Sequence, residues 1–155
     1  MSDRGPLIRS MCSADIPRVL EIAAGLREAP QWTPLVYIKA LDPTGRPARL
    51  GLVAEDPQAG ITGFLVTVLV PPQAELETIA VARHAQRRGI AARLFAELLR
   101  ILKERQITEV MLEVRESNYS AQAFYRSLGF FETGRRGGYY SDPKEDAILL
   151  QRSVG

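Results

Sequence analysis

The sequence is poor in the residues that most often carry metal and redox chemistry. Its 155 residues include one cysteine, one histidine and one tryptophan, namely Cys12, His84 and Trp32. A single cysteine cannot close an internal disulfide, and no second soft ligand accompanies it. This fits a reducing compartment and argues against a Cys/His metal centre, so no metal is expected. Long apolar runs are also missing. None approaches the roughly eighteen residues of a membrane span, and the opening "MSDRGPLIRS" has no apolar stretch of the secretory kind. Charge of one sign is not in excess either, the net charge being only +2. The basic residues are dispersed, with no aromatic-interleaved basic stripe, so nucleic acid is not expected as a direct partner. The composition reads as a cytoplasmic protein with no membrane attachment.

What is present suits a packed domain. Apolar residues make up 46% and charged residues 25% of the chain. A chain of this length buries roughly 70% of its unfolded surface, enough for one core over residues 1–155. Helix-like and strand-like stretches alternate without a long linker or a repeat. "PLIRSM" reads as a short strand. "SADIPRVLEIAAGL" follows with Ile16, Val19, Leu20 and Ala23 on one helical face, and with Ser13 or Asp15 available as a cap. Thr33 and Pro34 open a second helix, "TPLVYIKAL". "ARLGLVAED" and "GITGFLVTVLV" form a hairpin around Asp56, Pro57 and Gly60.

After Pro71-Pro72, "AELETIAV" is a further strand. Ile90, Leu94, Leu98, Ile101 and Leu102 then recur at helical spacing up to Arg105. "TEVMLEV" is apolar enough to lie inside a sheet, and "YSAQAFYRSLG" is a short helix stopping at Gly129. "FFETGRR" and "EDAILLQRS" close the chain as strands around a polar, glycine-rich connection. The order β-α-α-β-β-β-α-β-α-β-β describes an α/β domain with a mostly antiparallel sheet. The strand–helix–strand unit from Glu75 to Val114 supplies a parallel pair.

The segment "ELETIAVARHAQRRGIAARLF" turns from apolar strand to basic turn to amphipathic helix. At a helix start, backbone amides point outward without partners, and the helix dipole favours an anion there. Arg87 and Arg88 add forked donors, and Gly89 lets an oxygen approach the backbone. The turn lacks both the Gly-Lys-Ser/Thr of a nucleotide P-loop and the three glycines of a dinucleotide fold. On the residues alone it is either a phosphate site or a solvated basic turn.

Gln86-Arg87-Arg88-Gly89-Ile90-Ala91 resembles the acyl-CoA loop of the GNAT acetyltransferases, whose pattern is Gln/Arg-x-x-Gly-x-Gly/Ala. "MLEVRESNYSAQAFYRSLGF" matches their Asn and Tyr-x-x-x-Gly-Phe elements, and "RRGGYYSDPKEDAILL" resembles the end of the RimI-like branch, the ribosomal-protein alanine N-acetyltransferases. The likeness is strong over residues 74–150. It implies the GNAT fold: a mixed, mostly antiparallel sheet of six to seven strands, about four flanking helices, and a splayed parallel pair forming the cofactor cleft. It also implies acetyl-CoA as cosubstrate. Gln86, Arg87, Arg88, Gly89, Ile90 and Ala91 would hold its pyrophosphate. Ile79, Ala80 and Val81 would line the pantetheine arm through their backbone, with an amide near Val81 facing the thioester oxygen. Asn118 would contact the cofactor, or cap the helix that follows, or both.

The same resemblance gives Glu113 as general base and Tyr125 as general acid. Glu113 stands among Met111, Leu112 and Val114, where burial would favour its protonated form; its plain alternative is a strand-end carboxylate paired with Arg115. Tyr125 otherwise reads as a core aromatic beside Phe124. A phenol with pKa ~10 transfers its proton to a thiolate with pKa ~8.5 only uphill, by roughly 2 kcal/mol, so Tyr125 needs a lowered pKa or acts as a hydrogen-bond donor. Glu75 and Glu77, on one face of their strand, are rival bases. His84 reads as solvated. Trp32 reads as a packing aromatic that can also wall the acceptor site. Tyr139 and Tyr140 fall in the segment that closes over peptide substrates in the resembling branch; the plain alternative there is a Gly-Gly hairpin turn with exposed tyrosines.

An α-amine with pKa ~7.8 is about a quarter neutral at physiological pH, whereas freeing a lysine amine costs near 4 kcal/mol. That permits an N-terminal acceptor without requiring one. The branch implies the N-terminal alanine of a small-subunit ribosomal protein. A small-molecule amine or lysine acceptor, and a non-catalytic acyl-CoA sensor, are the competing readings. Retention of Glu113, Tyr125, Asn118 and the loop disfavours the sensor.

Overall fold

The computed structural model describes residues 5–26 and 29–155, so the first four residues of the polar opening stretch lie outside the described residues. The chain runs through β1 (Leu7–Ser10), a 3-10 turn (Ser13–Asp15), α1 (Ile16–Ala24), α2 (Pro34–Ala40), β2 (Ala48–Asp56), β3 (Gly60–Val70) and β4 (Gln73–Val81). A second 3-10 turn (Arg83–Ala85) leads to α3 (Ile90–Glu104), β5 (Glu109–Arg115), α4 (Tyr119–Ser127), β6 (Phe131–Tyr140) and β7 (Glu145–Ser153). The strands form one seven-stranded sheet in the order β1-β2-β3-β4-β5-β7-β6. Among the described residues only β4 and β5 are parallel, and every other neighbouring pair is antiparallel. Among the described residues no helix is long and apolar enough to cross a membrane.

Each face of the sheet carries its own core. On one, Leu94, Leu98 and Leu102 of α3 bury against Leu65, Leu76, Val110, Leu112 and Leu150, with Ala121 and Tyr125 of α4 packed at the margin. On the other, Val19 and Ile22 of α1 and Tyr37 of α2 pack on Val53, Phe64, Val66 and Ala80. Central strand β3 contributes to both, which is why its run is apolar without alternation. β5 alternates, with Val110, Leu112 and Val114 buried and the residues between them less so.

Asp15 stands at the head of α1 but does not cap it with its side chain. Its buried carboxylate turns back, accepting two bonds from the Arg9 guanidinium at 2.8 Å and one from the Cys12 amide at 2.9 Å. This ties β1 to α1. The glycine-rich connection expected near the end of the chain is not a connection. β6 continues through Gly137 and Gly138 to Tyr140, and the turn falls at residues 141–144. The glycines serve a bulge instead: the register passes from Arg136↔Ala147 to Tyr140↔Glu145, so three β6 residues face Asp146 alone.

The β4–β5 pair is what makes a cleft. Its pairing covers only Gln73↔Glu109, Ala74↔Val110 and Glu75↔Met111. Beyond that point the strands separate. The cause lies in β4: its register with β3 passes from Thr67↔Leu76 to Val66↔Thr78, leaving Glu77 as an extra residue. Such a bulge bends the strand and ends regular pairing on its free side. It also reverses the alternation, so Leu76 packs with α3, Ala80 packs with α1 and α2, and Val81 packs with α3 again.

Candidate active site

Three carboxylates share the sheet face covered by α1 and α2, at the mouth of the splay. Glu75 and Met111 are register partners, and Glu113 lies two residues further along the same face of β5. Glu113 is therefore not enclosed by Leu112 and Val114, which turn to the α3 side. Its partner is not Arg115 but Arg136, whose Nε stands 3.4 Å from Oε1. Glu77 takes a bond from Arg49 Nε at 2.9 Å. Among the described residues no cation lies within ion-pair distance of Glu75. Partial burial, then the charges of Glu113 and Glu77, push its carboxyl above the ordinary range.

Tyr139 and Tyr140 border the same cluster, edge-on to each other with centroids 5.1 Å apart. The Glu113 carboxylate holds the Tyr139 hydroxyl above its usual pKa, and burial does the same for Tyr140. Tyr125 packs edge-on against Phe130 at 5.7 Å. Burial, with the neighbouring Tyr140, pushes its hydroxyl up to about 12. The lowered pKa considered for Tyr125 is thus the reverse of what the packing produces. Full transfer to a thiol of pKa ~8.5 becomes uphill by roughly 5 kcal/mol, and a hydrogen-bond donor is the role this phenol can fill.

On the far side of the splay lies the basic turn. Arg87 has φ 66° and Gly89 φ 77°, with Arg88 between them on the negative side. Alternating backbone of this kind turns successive amides toward one concavity, and a non-glycine residue held there marks a constrained loop. Among the described residues no side chain caps α3, so its first-turn amides suit an anion. Among the described residues nothing lies within 4 Å of where a Gly89 Cβ would stand, which suits close approach of a ligand. Gln86 Nε2 donates to the Val81 carbonyl at 3.0 Å and anchors the turn to the end of β4. Arg87 and Arg88 are exposed, Ile90 is buried in the α3 core, and Ala91 packs at its edge. These donors suit a diphosphate.

The side chains of Ile79 and Val81 pack toward α3 and that of Ala80 toward α1 and α2, so β4 offers the cleft its backbone. Asn118 caps α4, its Oδ1 accepting from the Ala121 amide at 3.2 Å. Trp32 packs on Tyr37 at 5.3 Å, and among the described residues no aromatic contact joins it to the tyrosine pair. His84 is exposed beside Arg83, as a solvated side chain. No group of three or more His, Cys, Asp or Glu among the described residues could hold a metal ion. Two arginines, Arg49 and Arg136, escaped sequence reasoning, and Arg115, read as a partner of Glu113, instead meets Tyr140 and Glu145. Their partners are set by strand register, and nothing local in the sequence marks them.

A sheet splayed between two parallel strands, with a basic, glycine-containing turn at the head of the helix joining them, is the architecture of the acyl-CoA N-acyltransferases. The family model described as "Acetyltransferase (GNAT) family" matches residues 17–130, and the chain belongs to that family. It is similar to the ribosomal protein bS18-alanine N-acetyltransferase of Escherichia coli strain K12, with 40% identity over 92 residues. That match spans 58% of this chain and 62% of the relative, less than two thirds of its length. It is 33% identical over 150 residues to the N-alpha-acetyltransferase RimI of Mycobacterium tuberculosis, covering 96% of this chain and 92% of that one. The crystal structure of the ribosomal-protein-S18-alanine N-acetyltransferase from Escherichia coli superposes with a TM-score of 0.82 at 30% identity, over 96% of this chain and 94% of that chain.

Proposed function

We propose that this protein transfers acetyl from acetyl-CoA to the N-terminal α-amine of a protein, namely the N-terminal alanine of a small-subunit ribosomal protein. The observation that carries this reading is the pairing of two features across one splay: an uncapped, basic helix start on one side, and a carboxylate–tyrosine cluster on the other. The relatives named for bS18-alanine acetylation support the choice of acceptor.

Acetyl-CoA supplies the activated acyl group when bound. Gln86 to Ala91 would hold its diphosphate, and the free edge of β4 from Ile79 to Val81 would face its pantetheine arm. Glu113 takes a proton from the nitrogen of the neutral amine as the C–N bond forms, directly or through water, with Glu75 and Glu77 adding negative potential around it. An α-amine suits this arrangement, because with a pKa of ~7.8 about a quarter of it is already neutral at physiological pH. Tyr125 keeps its proton and donates a hydrogen bond to the thiolate as the C–S bond breaks, and the thiolate takes its proton from protonated Glu113 or from solvent. Trp32, Tyr139 and Tyr140 are assigned to the acceptor side.

Mass spectrometry of two peptides incubated with acetyl-CoA and the pure protein tests the proposal. One peptide begins with a free alanine and contains no lysine; the other has a blocked terminus and one lysine. Acetylation of the first alone is expected. Modification of the lysine peptide alone would move the reading to a lysine acetyltransferase.

A further inference from the structure

We propose that Arg115 is a positioning residue for the acceptor: it locks the tip of the β6–β7 hairpin onto the β5–α4 turn and so fixes the Tyr139–Tyr140 wall beside Tyr125. The inference rests on the acceptor side assigned above.

The tyrosine segment has little backbone support of its own. The β6–β7 ladder is interrupted between Arg136 and Tyr140, where three residues oppose Asp146. Two of these are glycines, and Gly138 has φ 60° with its amide bonded to the Asp146 side chain at 2.9 Å. Glycine at such a site keeps many conformations open. The orientation of the tyrosines is therefore left to side chains.

Arg115 supplies it from the end of β5. Its guanidinium lies over the Tyr140 ring, 4.3 Å from the centroid. The same group reaches the Pro143 carbonyl at 3.4 Å and the Glu145 carboxylate at 4.0 Å. Glu145 in turn accepts the Ser117 hydroxyl at 2.8 Å, and the Glu116 amide bonds the Asp146 carbonyl at 3.1 Å. Hairpin tip and β5–α4 turn are thus held together around one arginine. A planar guanidinium can stack and bond in its plane at once, which an ammonium cannot. Since Tyr139 packs edge-on to Tyr140, fixing one ring fixes the other. Asn118 begins α4 just after this turn, so the same lock links the acceptor wall to the helix that bears Tyr125.

Two measurements on the full chain test this. In hydrogen exchange without any ligand, Arg115→Met should speed exchange of the amides of residues 137–146 about tenfold, while those of residues 90–104 stay unchanged. In steady-state assays with the alanine peptide, Arg115→Met should raise the peptide KM about tenfold, a loss matching one stacked, part-buried arginine, with the acetyl-CoA KM within about twofold. Arg115→Lys should recover only part of the loss. Adding Arg115→Met to Tyr140→Ala should cost little more, because the two residues act as one unit. Unchanged exchange in residues 137–146, equal rises in both KM values, or full recovery by lysine would overturn the proposal. A wild-type protein that never acetylates the alanine peptide would instead overturn the acceptor assignment, and the exchange measurement would still judge the lock.

Discussion

Gly89 offers a perturbation whose folding and binding costs separate cleanly. Its φ of 77° is one an L side chain rarely adopts, yet among the described residues no atom lies within 4 Å of an added Cβ. Gly89→Ala and Gly89→Glu therefore share one penalty, that of left-handed backbone, about 1 kcal/mol or about 2–4 °C in Tm. They differ in the length and the negative charge of the glutamate side chain, and in open space the charge is the larger effect. A glutamate here places its carboxylate against whatever anion the α3 amides hold. At a separation of about 6 Å and an effective dielectric near 20, a pair of unit charges repels by about 3 kcal/mol, and solvent screening leaves about 2. That corresponds to roughly thirtyfold in affinity. Calorimetric titration with acetyl-CoA, run beside thermal unfolding, reads both costs. The expected result is equal Tm losses, a small change in acetyl-CoA Kd for Gly89→Ala, and a roughly thirtyfold rise for Gly89→Glu. Equal Kd values for the two variants would mean that no anion binds at this turn, and the cofactor assignment would fail with it.

Three further outcomes are expected. Tyr125→Phe keeps the ring packed on Phe130 but removes the donor, and should lower kcat about a hundredfold with acetyl-CoA affinity intact; an unchanged kcat would leave Tyr125 as a core aromatic only. Glu113→Gln should lower kcat by about tenfold or more without weakening acetyl-CoA binding, and if Glu77→Gln does so instead, the base has been misassigned. Asp15 is held down to about 2, first by its bonds to Arg9, so its folded pKa lies below its unfolded one. The stability it adds is therefore fully present above the unfolded pKa near 4 and is lost as pH falls toward 2. Asp15→Asn should cost about 2 kcal/mol in urea unfolding at pH 7 and much less near pH 2, and a deficit independent of pH would contradict the ion-pair account.

Much of this protein is readable along the chain. Helical spacing of Leu94, Leu98 and Leu102 and the apolar run of β3 are local patterns, and the elements they form stand where those patterns place them. Gly89 at the start of α3 and Asn118 at the head of α4 are likewise local, because a cap depends on the few residues after it. Gly137 and Gly138 are placed by long-range pairing instead. Two adjacent glycines look like a turn, yet here they sit in a strand bulge, because β7 beside them sets the register.

The sequence by itself determined the order of elements, the amphipathic face of α3 and the basic turn, since each rests on residues a few positions apart. Tertiary structure alone decided where β4 leaves β5, which follows from one extra residue, Glu77, counted against β3. It also decided which arginine meets which carboxylate: Arg49 with Glu77, and Arg136, not Arg115, with Glu113. Those pairs join residues more than twenty positions apart, so their geometry depends on strand register, and register is set by the packing of the whole sheet.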